Sequence, residues 1–229
     1  MRLLPEAQPV KREAPHAALT AAFAAMAAMT AARPLAKLPS IPPTAYGPPD
    51  KIKLLAEGLD VAPLAAALAA HPELWNLRTA RTAPSDSPHH GVDDIWARFC
   101  GPGESGAAPH ESSWYTEADC LPLRRMAEAI MDAVGGSVLG GVLITRIPPG
   151  ARVRPHVDRG WHAEFFSKFA VQVAAAPGQA FYFEDQVLET KPGDLFTFTN
   201  QHLHWVRNPT PYERVTAIFC IRVDRGGAQ

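Results

Sequence analysis

At 229 residues, with 47% hydrophobic and 20% charged side chains and a formal net charge of -1, the chain has the balance of an ordinary globular protein. A wholly disordered polymer is excluded, and with 22 basic residues against 23 acidic ones and no Lys/Arg block there is no electrostatic footprint of a nucleic-acid binder. The three cysteines, Cys100, Cys120 and Cys220, are widely spaced and form no C-x-x-C pair, which argues against a disulfide framework or structural zinc and suits a reducing cytoplasm.

Residues 1–50 hold nine of the 23 prolines, and ten of the sixteen residues from Ala17 to Ala32 are Ala. Ala favours helix, so a helix over Ala17–Ala32 ending at Arg33-Pro34 is expected, with Leu19, Phe23 and Met26 on one side. The run is shorter than the ~20 residues of a spanning helix and too weakly apolar for a secretory leader, so no membrane association is expected. We read 1–50 as an Ala/Pro-rich appendage and 51–229 as one domain.

From Asp50 to about Leu74 two short helices are expected, the second opening at Asp60 with Pro63 in its first turn. Asp94–Phe99 alternates like a strand. A helix after Asp119 carries Leu123, Met126, Ile130 and Val134 at helical spacing and stops at Gly135-Gly136. Beyond it the pattern turns to short β runs at Ser137–Ile147, Arg152–Asp158, Lys168–Ala175, Ala180–Glu184, Leu195–Thr199 and Val215–Val223, punctuated by Pro/Gly turns. The fold class is thus mainly β with flanking helices: a jelly-roll core over 136–225, preceded by a helical or mixed part over 51–135.

Chemistry concentrates in the β half. In His156-Val157-Asp158, strand alternation would project imidazole and carboxylate to one side, where they can grip one ion. Forty-eight residues on, His204 supplies a third ligand; His202, two residues earlier, is the alternative. Two His and one carboxylate leave coordination positions open on a non-haem Fe(II), although zinc takes such a set too. Arg214, ten residues past His204, is a fixed bidentate cation suited to a carboxylate.

On these residues the chain resembles the Fe(II)/2-oxoglutarate-dependent dioxygenases, and among them the aspartyl/asparaginyl β-hydroxylase family, over about 80 residues from Thr145 to Asp224. Pro149-Gly150 followed by Pro155-His156 looks like the family's first-ligand motif, and Phe198, His204 and Arg214 look like its distal one. The resemblance implies a cupin-like jelly-roll fold, with Fe(2+) on His156, Asp158 and His204. It also implies 2-oxoglutarate held by Arg214, with help from the Thr145 hydroxyl and from Lys168 in Lys168-Phe169-Ala170-Val171, and O2 as co-substrate. A short insertion precedes Lys168, and Ala170 stands where the family often has His; vertebrate members have Gly where this chain has Asp158. The implied activity is hydroxylation of an amino-acid, peptide or protein side chain of the Asp/Asn type, releasing succinate and CO2.

Trp161 and His162 follow the metal motif and would line the mouth or pack over a turn, and Arg98 would meet an acidic substrate or lie on a solvated face. Lys168 has the same two readings, solvated strand charge or co-substrate ligand. Two rival functions stay open: a cupin-like metal enzyme without 2-oxoglutarate, suggested by Pro192-Gly193-Asp194 ahead of His204 and Asn208, and a non-catalytic jelly-roll binding module.

Overall fold

The computed structural model describes residues 37–45, 50–101 and 104–224. The helix expected over Ala17–Ala32 lies outside the described residues. In chain order the elements are β1 (Ile52–Ala56), α1 (Ala62–Ala70), β2 (Asp93–Phe99), β3 (Ser113–Trp114), α2 (Leu123–Val134), β4 (Gly136–Ile147), β5 (Arg152–His156), α3 (Trp161–Phe165), β6 (Ser167–Ala174), β7 (Ala180–Phe183), β8 (Val187–Glu189), β9 (Leu195–Phe198), β10 (His204–Arg207) and β11 (Arg214–Val223).

The strands form two antiparallel sheets, a large one in the order β1-β9-β6-β11-β4-β2-β3 and a small one in the order β5-β10-β7-β8. From β4 to β11 the chain passes repeatedly from one sheet to the other, which is the winding of a jelly roll. Part of the expectation needs correction. The segment before β4 is not a helical preface: β1, β2 and β3 extend the large sheet at both edges. Ile52–Ala56, read as helix, pairs with β9, because Ile52-Lys53-Leu54-Leu55 is too short to repay helix nucleation while an open edge lies beside it.

Alternation sorts the large sheet's residues onto two buried faces. Phe169, Val171, Ala217, Phe219 and Ile221 pack with Leu64 of α1 and Leu123, Met126 and Ile130 of α2 in the main core. Ile147, Ala170, Phe196 and Phe198 point the other way and meet Val153, Phe181, Phe183 and Val206 of the small sheet. Helix α2 ends as its sequence directs, with Gly135 in the left-handed conformation (φ 66°) as C-cap. Ile41, inside the segment read as appendage, is buried in the main core, and its N–H donates to the Ala133 carbonyl at 2.7 Å.

Candidate metal and anion site

The cavity between the sheets has a volume of about 250 Å³. It is lined by the residues that alternation turns inward: Thr145 on β4, Lys168 on β6, and Arg214, Thr216 and Cys220 on β11 from the large sheet, with His156 and His204 from the small one.

His156 and His204 are register partners across β5 and β10, with ring centroids 4.3 Å apart. A bulge in this pairing sets their placement, since Val206 faces Val153 rather than Arg154, and the extra residue turns both Val153 and His156 toward the interior. Each imidazole donates its Nδ1–H to a main-chain carbonyl two residues earlier: His156 to Arg154 and His204 to His202, both at 2.8 Å. A carbonyl only accepts, so the proton is on Nδ1 and the Nε2 lone pair of each ring is free to bind a metal. Burial pushes His204 below the usual imidazole range, so a proton is a weak competitor for that lone pair.

Asp158 reaches the site by a different route from the one the sequence suggested. Strand β5 ends at His156, so alternation does not orient the carboxylate. Instead the Asp158 N–H donates to the Asn200 carbonyl at 2.9 Å, and Asn200 Nδ2 donates to Asp158 Oδ2 at 2.8 Å, leaving Oδ1 3.4 Å from His156 Nε2. Burial pushes the carboxyl up, but the adjacent His156 ring, the charge of Lys168 and the hydrogen bond from Asn200 outweigh it and hold Asp158 well below its ordinary value. Two nitrogen lone pairs and one anionic oxygen in a largely apolar cleft fit a divalent transition metal such as iron.

His202 is exposed and offers only its carbonyl to the neighbouring ring, whereas His204 is 4% exposed and lines the cavity. A third imidazole, overlooked in the sequence, lies close by: His89, His156 and Asp158 each place a ligand atom within 4.8 Å of one another. His204 is not in that tightest group, although its ring is against His156. Both sets share His156 and Asp158, and the freed Nε2 makes His204 the better-prepared donor.

Arg214, at 1% exposure, lines the same cavity and has no carboxylate partner among the described residues. Its Nη1 donates to Gln172 Oε1 and, at 3.3 Å, to Thr190 Oγ1, while its Nε is buried without an acceptor. Burial lowers its pKa to about 10, which keeps the guanidinium charged at neutral pH. Gln172 fixes the arginine from below, because its amide donates to the carbonyls of Ala174 and Val215 and so aims Oε1 at the guanidinium.

The remaining anticipated residues divide. Lys168 faces the cavity, with Nζ 3.1 Å from Cys220 Sγ. Thr145 Oγ1 also lines it but is engaged by an ion pair: it donates to Asp94 Oδ1 at 3.0 Å and accepts from Arg81 Nη2 at 2.8 Å. His162 is in the wall, its Nε2 accepting from the Gly141 N–H at 3.4 Å, and burial with the nearby Lys168 charge pushes its pKa down to about 3. Trp161 and Arg98 line a neighbouring groove rather than the metal cavity, and Arg98 donates to the carbonyls of Gly140 and Leu139.

No protein-family model matches the chain, and no curated protein does. Among solved structures the chain is similar to a prolyl-4-hydroxylase of Pseudomonas putida, with 18% identity over 75% of this chain and 92% of the other and a TM-score of 0.47. It is also similar to the viral collagen prolyl hydroxylase of Paramecium Bursaria Chlorella virus-1, solved with 2-oxoglutarate (12% identity, 77% and 98% covered, TM-score 0.48). A Trichoplax adhaerens prolyl hydroxylase, solved with a peptide fragment of hypoxia inducible factor, is a third (11% identity, 76% and 84% covered, TM-score 0.49). The strand order itself defines the jelly roll.

Proposed function

We propose that this chain is an Fe(II)- and 2-oxoglutarate-dependent dioxygenase, with His156, Asp158 and His204 as the metal ligands and Arg214 as the partner of the co-substrate's distal carboxylate. The observation that carries the reading is Arg214 itself, a fully buried guanidinium with an orphaned Nε and no carboxylate partner among the described residues, in the cavity that also holds the His/His/Asp set. A buried charge without a counter-ion costs several kcal/mol, so the cavity is completed by an anion. A dicarboxylate with one end on the metal and the other on Arg214 meets both demands.

Iron held by His156, Asp158 and His204 would supply, with this co-substrate and O2, the hydroxylation of a C–H bond, one oxygen atom going to the product alcohol and the other to the succinate released with CO2. The chain's own contribution is placement and dryness. Phe181, Phe196, Phe198, Val206 and Ile218 form apolar walls that strengthen the charge contacts inside. Lys168 adds a second positive charge, and Thr145, whose one hydroxyl proton goes to Asp94, contributes through the Arg81–Asp94 pair. The substrate is an amino-acid, peptide or protein side chain, of the Asp/Asn kind by the sequence resemblance, approaching past His162 in the cavity wall. The three cysteines are free, which suits the cytoplasm, and no helix among the described residues is long and apolar enough to cross a membrane.

The test is anaerobic addition of Fe(II) and then 2-oxoglutarate to the purified protein, with a weak visible charge-transfer band as the expected result. Metal binding without that band would favour the enzyme that uses no 2-oxoglutarate. Substrate-stimulated succinate release would then identify the side chain.

A further inference from the structure

His89 is a buried imidazole with one ring nitrogen accounted for and the other not. Its Nε2 lies 3.4 Å from Nη1 of Arg81, whose Nε and Nη2 are tied to Asp94 at 2.8 and 2.7 Å. A guanidinium N–H can only donate, so Nε2 accepts, and the proton of the neutral ring is on Nδ1. That Nδ1 is buried and has no hydrogen-bond partner among the described residues. The ring stands edge-on to His156, with centroids 4.7 Å apart and planes at 80°.

The position is built rather than incidental. Arg154 of β5 donates from its guanidinium to the carbonyls of Ser85 and Ser87, its N–H donates to the Pro88 carbonyl at 2.8 Å, and Ser87 Oγ accepts the His89 N–H at 3.2 Å. The loop that carries His89 is therefore pinned to the strand that carries His156. A buried donor held this firmly without an acceptor loses the full cost of its desolvation unless a ligand supplies one.

We propose that His89 donates its Nδ1–H to an anionic ligand atom held on the metal beside His156 and Asp158, and that it is not itself a metal ligand. Direct coordination through Nδ1 would move the proton to Nε2 and set it against the Arg81 donor. This deepens the proposed function and rests on its metal site, though not on the identity of the co-substrate.

Co(II), which needs no anaerobic handling and reports its ligands in the visible spectrum, tests it with azide and 2-oxoglutarate as separate anionic probes. His89→Ala should keep Co(II) affinity within about threefold but weaken azide and 2-oxoglutarate on the Co(II) protein by about tenfold, the worth of one hydrogen bond to a charged group. His89→Asn, whose side-chain Nδ2 falls near the former Nδ1, should restore anion affinity to within about threefold. Should the alanine variant fail to fold, His89→Leu gives the donor-free comparison at similar volume. Unchanged anion affinity overturns the inference, as does a Co(II) affinity loss above about tenfold with an altered Co(II) spectrum, which would make His89 a ligand. Wild-type protein that binds Co(II) and azide but not 2-oxoglutarate would overturn the co-substrate reading and leave His89's role standing. Failure to bind Co(II) at all would overturn both.

Discussion

The two sheets do opposite things for the cavity they enclose. The large sheet is buried on both faces, so its inward polar residues sit in regular strands and are locked by neighbours: Arg214 by Gln172 and Thr190, Thr145 by Arg81 and Asp94. The small sheet places its functional residues where regularity breaks, at the end of β5, at the start of β10 and in the loop beyond β5. One sheet offers fixed charge, and the other offers lone pairs that must converge on a point. Convergence comes from backbone carbonyls, a bulge and one asparagine, since strand geometry alone cannot aim three side chains at one ion.

The sharpest break of this contrast is at His204. Its replacement by Ala should lower Fe(II) or Co(II) affinity by at least about a hundredfold, because outer partners of metal ligands are already worth 10–100-fold. His202→Ala should change stability by no more than about 0.5 kcal/mol, as expected of an exposed side chain. Metal titration of the pair decides, and the reverse ranking would transfer the ligand to His202. On the large sheet, Arg214→Ala should leave metal affinity nearly intact and weaken 2-oxoglutarate by about 2–5 kcal/mol, or at least about thirtyfold. Calorimetric titration of the metal-loaded variant reads this directly, and an unchanged affinity would remove Arg214 from the site.

Asn200 tests the small sheet's dependence on supporting contacts. Asn200→Ala leaves every proposed ligand in place but removes the side-chain hydrogen bond that orients Asp158. Metal affinity should fall by about 10–100-fold. A loss below about threefold would mean that the main-chain bond from Asp158 to the Asn200 carbonyl suffices.

The same contrast explains what was legible in the sequence. Arg214 and Lys168 were legible through the family resemblance, with alternation adding only that each lies on the face opposite Val215 and Phe169, and Gly135 marks the end of α2. The failures fall where local pattern carries no information. Asp158 is set by Asn200, 42 residues away, and Thr145 is engaged by Asp94 and Arg81 at separations of 51 and 64 residues. His89 stands in a Pro/Ser/His loop with no periodicity at all, and only the grip of Arg154 brings it to His156. The edge strand β1 was lost because a five-residue apolar run reads equally as helix or strand until its partner β9 is known.

The smallest expected effect concerns pH and the wall that joins the two sheets. In the metal-free protein, burial depresses the pKa of His89, His162 and His204, and for His162 burial together with the Lys168 and His110 charges brings it to about 3. The unfolded chain takes up protons on these imidazoles below about pH 6.5, whereas the folded chain takes them up only at lower pH, so folding stability drops as pH falls through this window. Each imidazole accounts for up to about 1.4 kcal/mol per pH unit. Asp158 has linkage of the same sign in a lower window: its depressed pKa stabilises the fold above the unfolded value of about 3.9 and that stability is lost only below it, so the interval from pH 6.5 to about 4 belongs to the imidazoles. His162→Gln keeps an acceptor for the Gly141 N–H and removes one titrating group. Urea unfolding in the presence of a chelator at pH 7, 6 and 5 should therefore show a pH dependence shallower by up to about 1.4 kcal/mol per unit than that of the wild type. An unaltered slope would mean that the His162 ring already carries its proton in the folded protein, next to Lys168, and would make the cavity wall more polar than its burial implies.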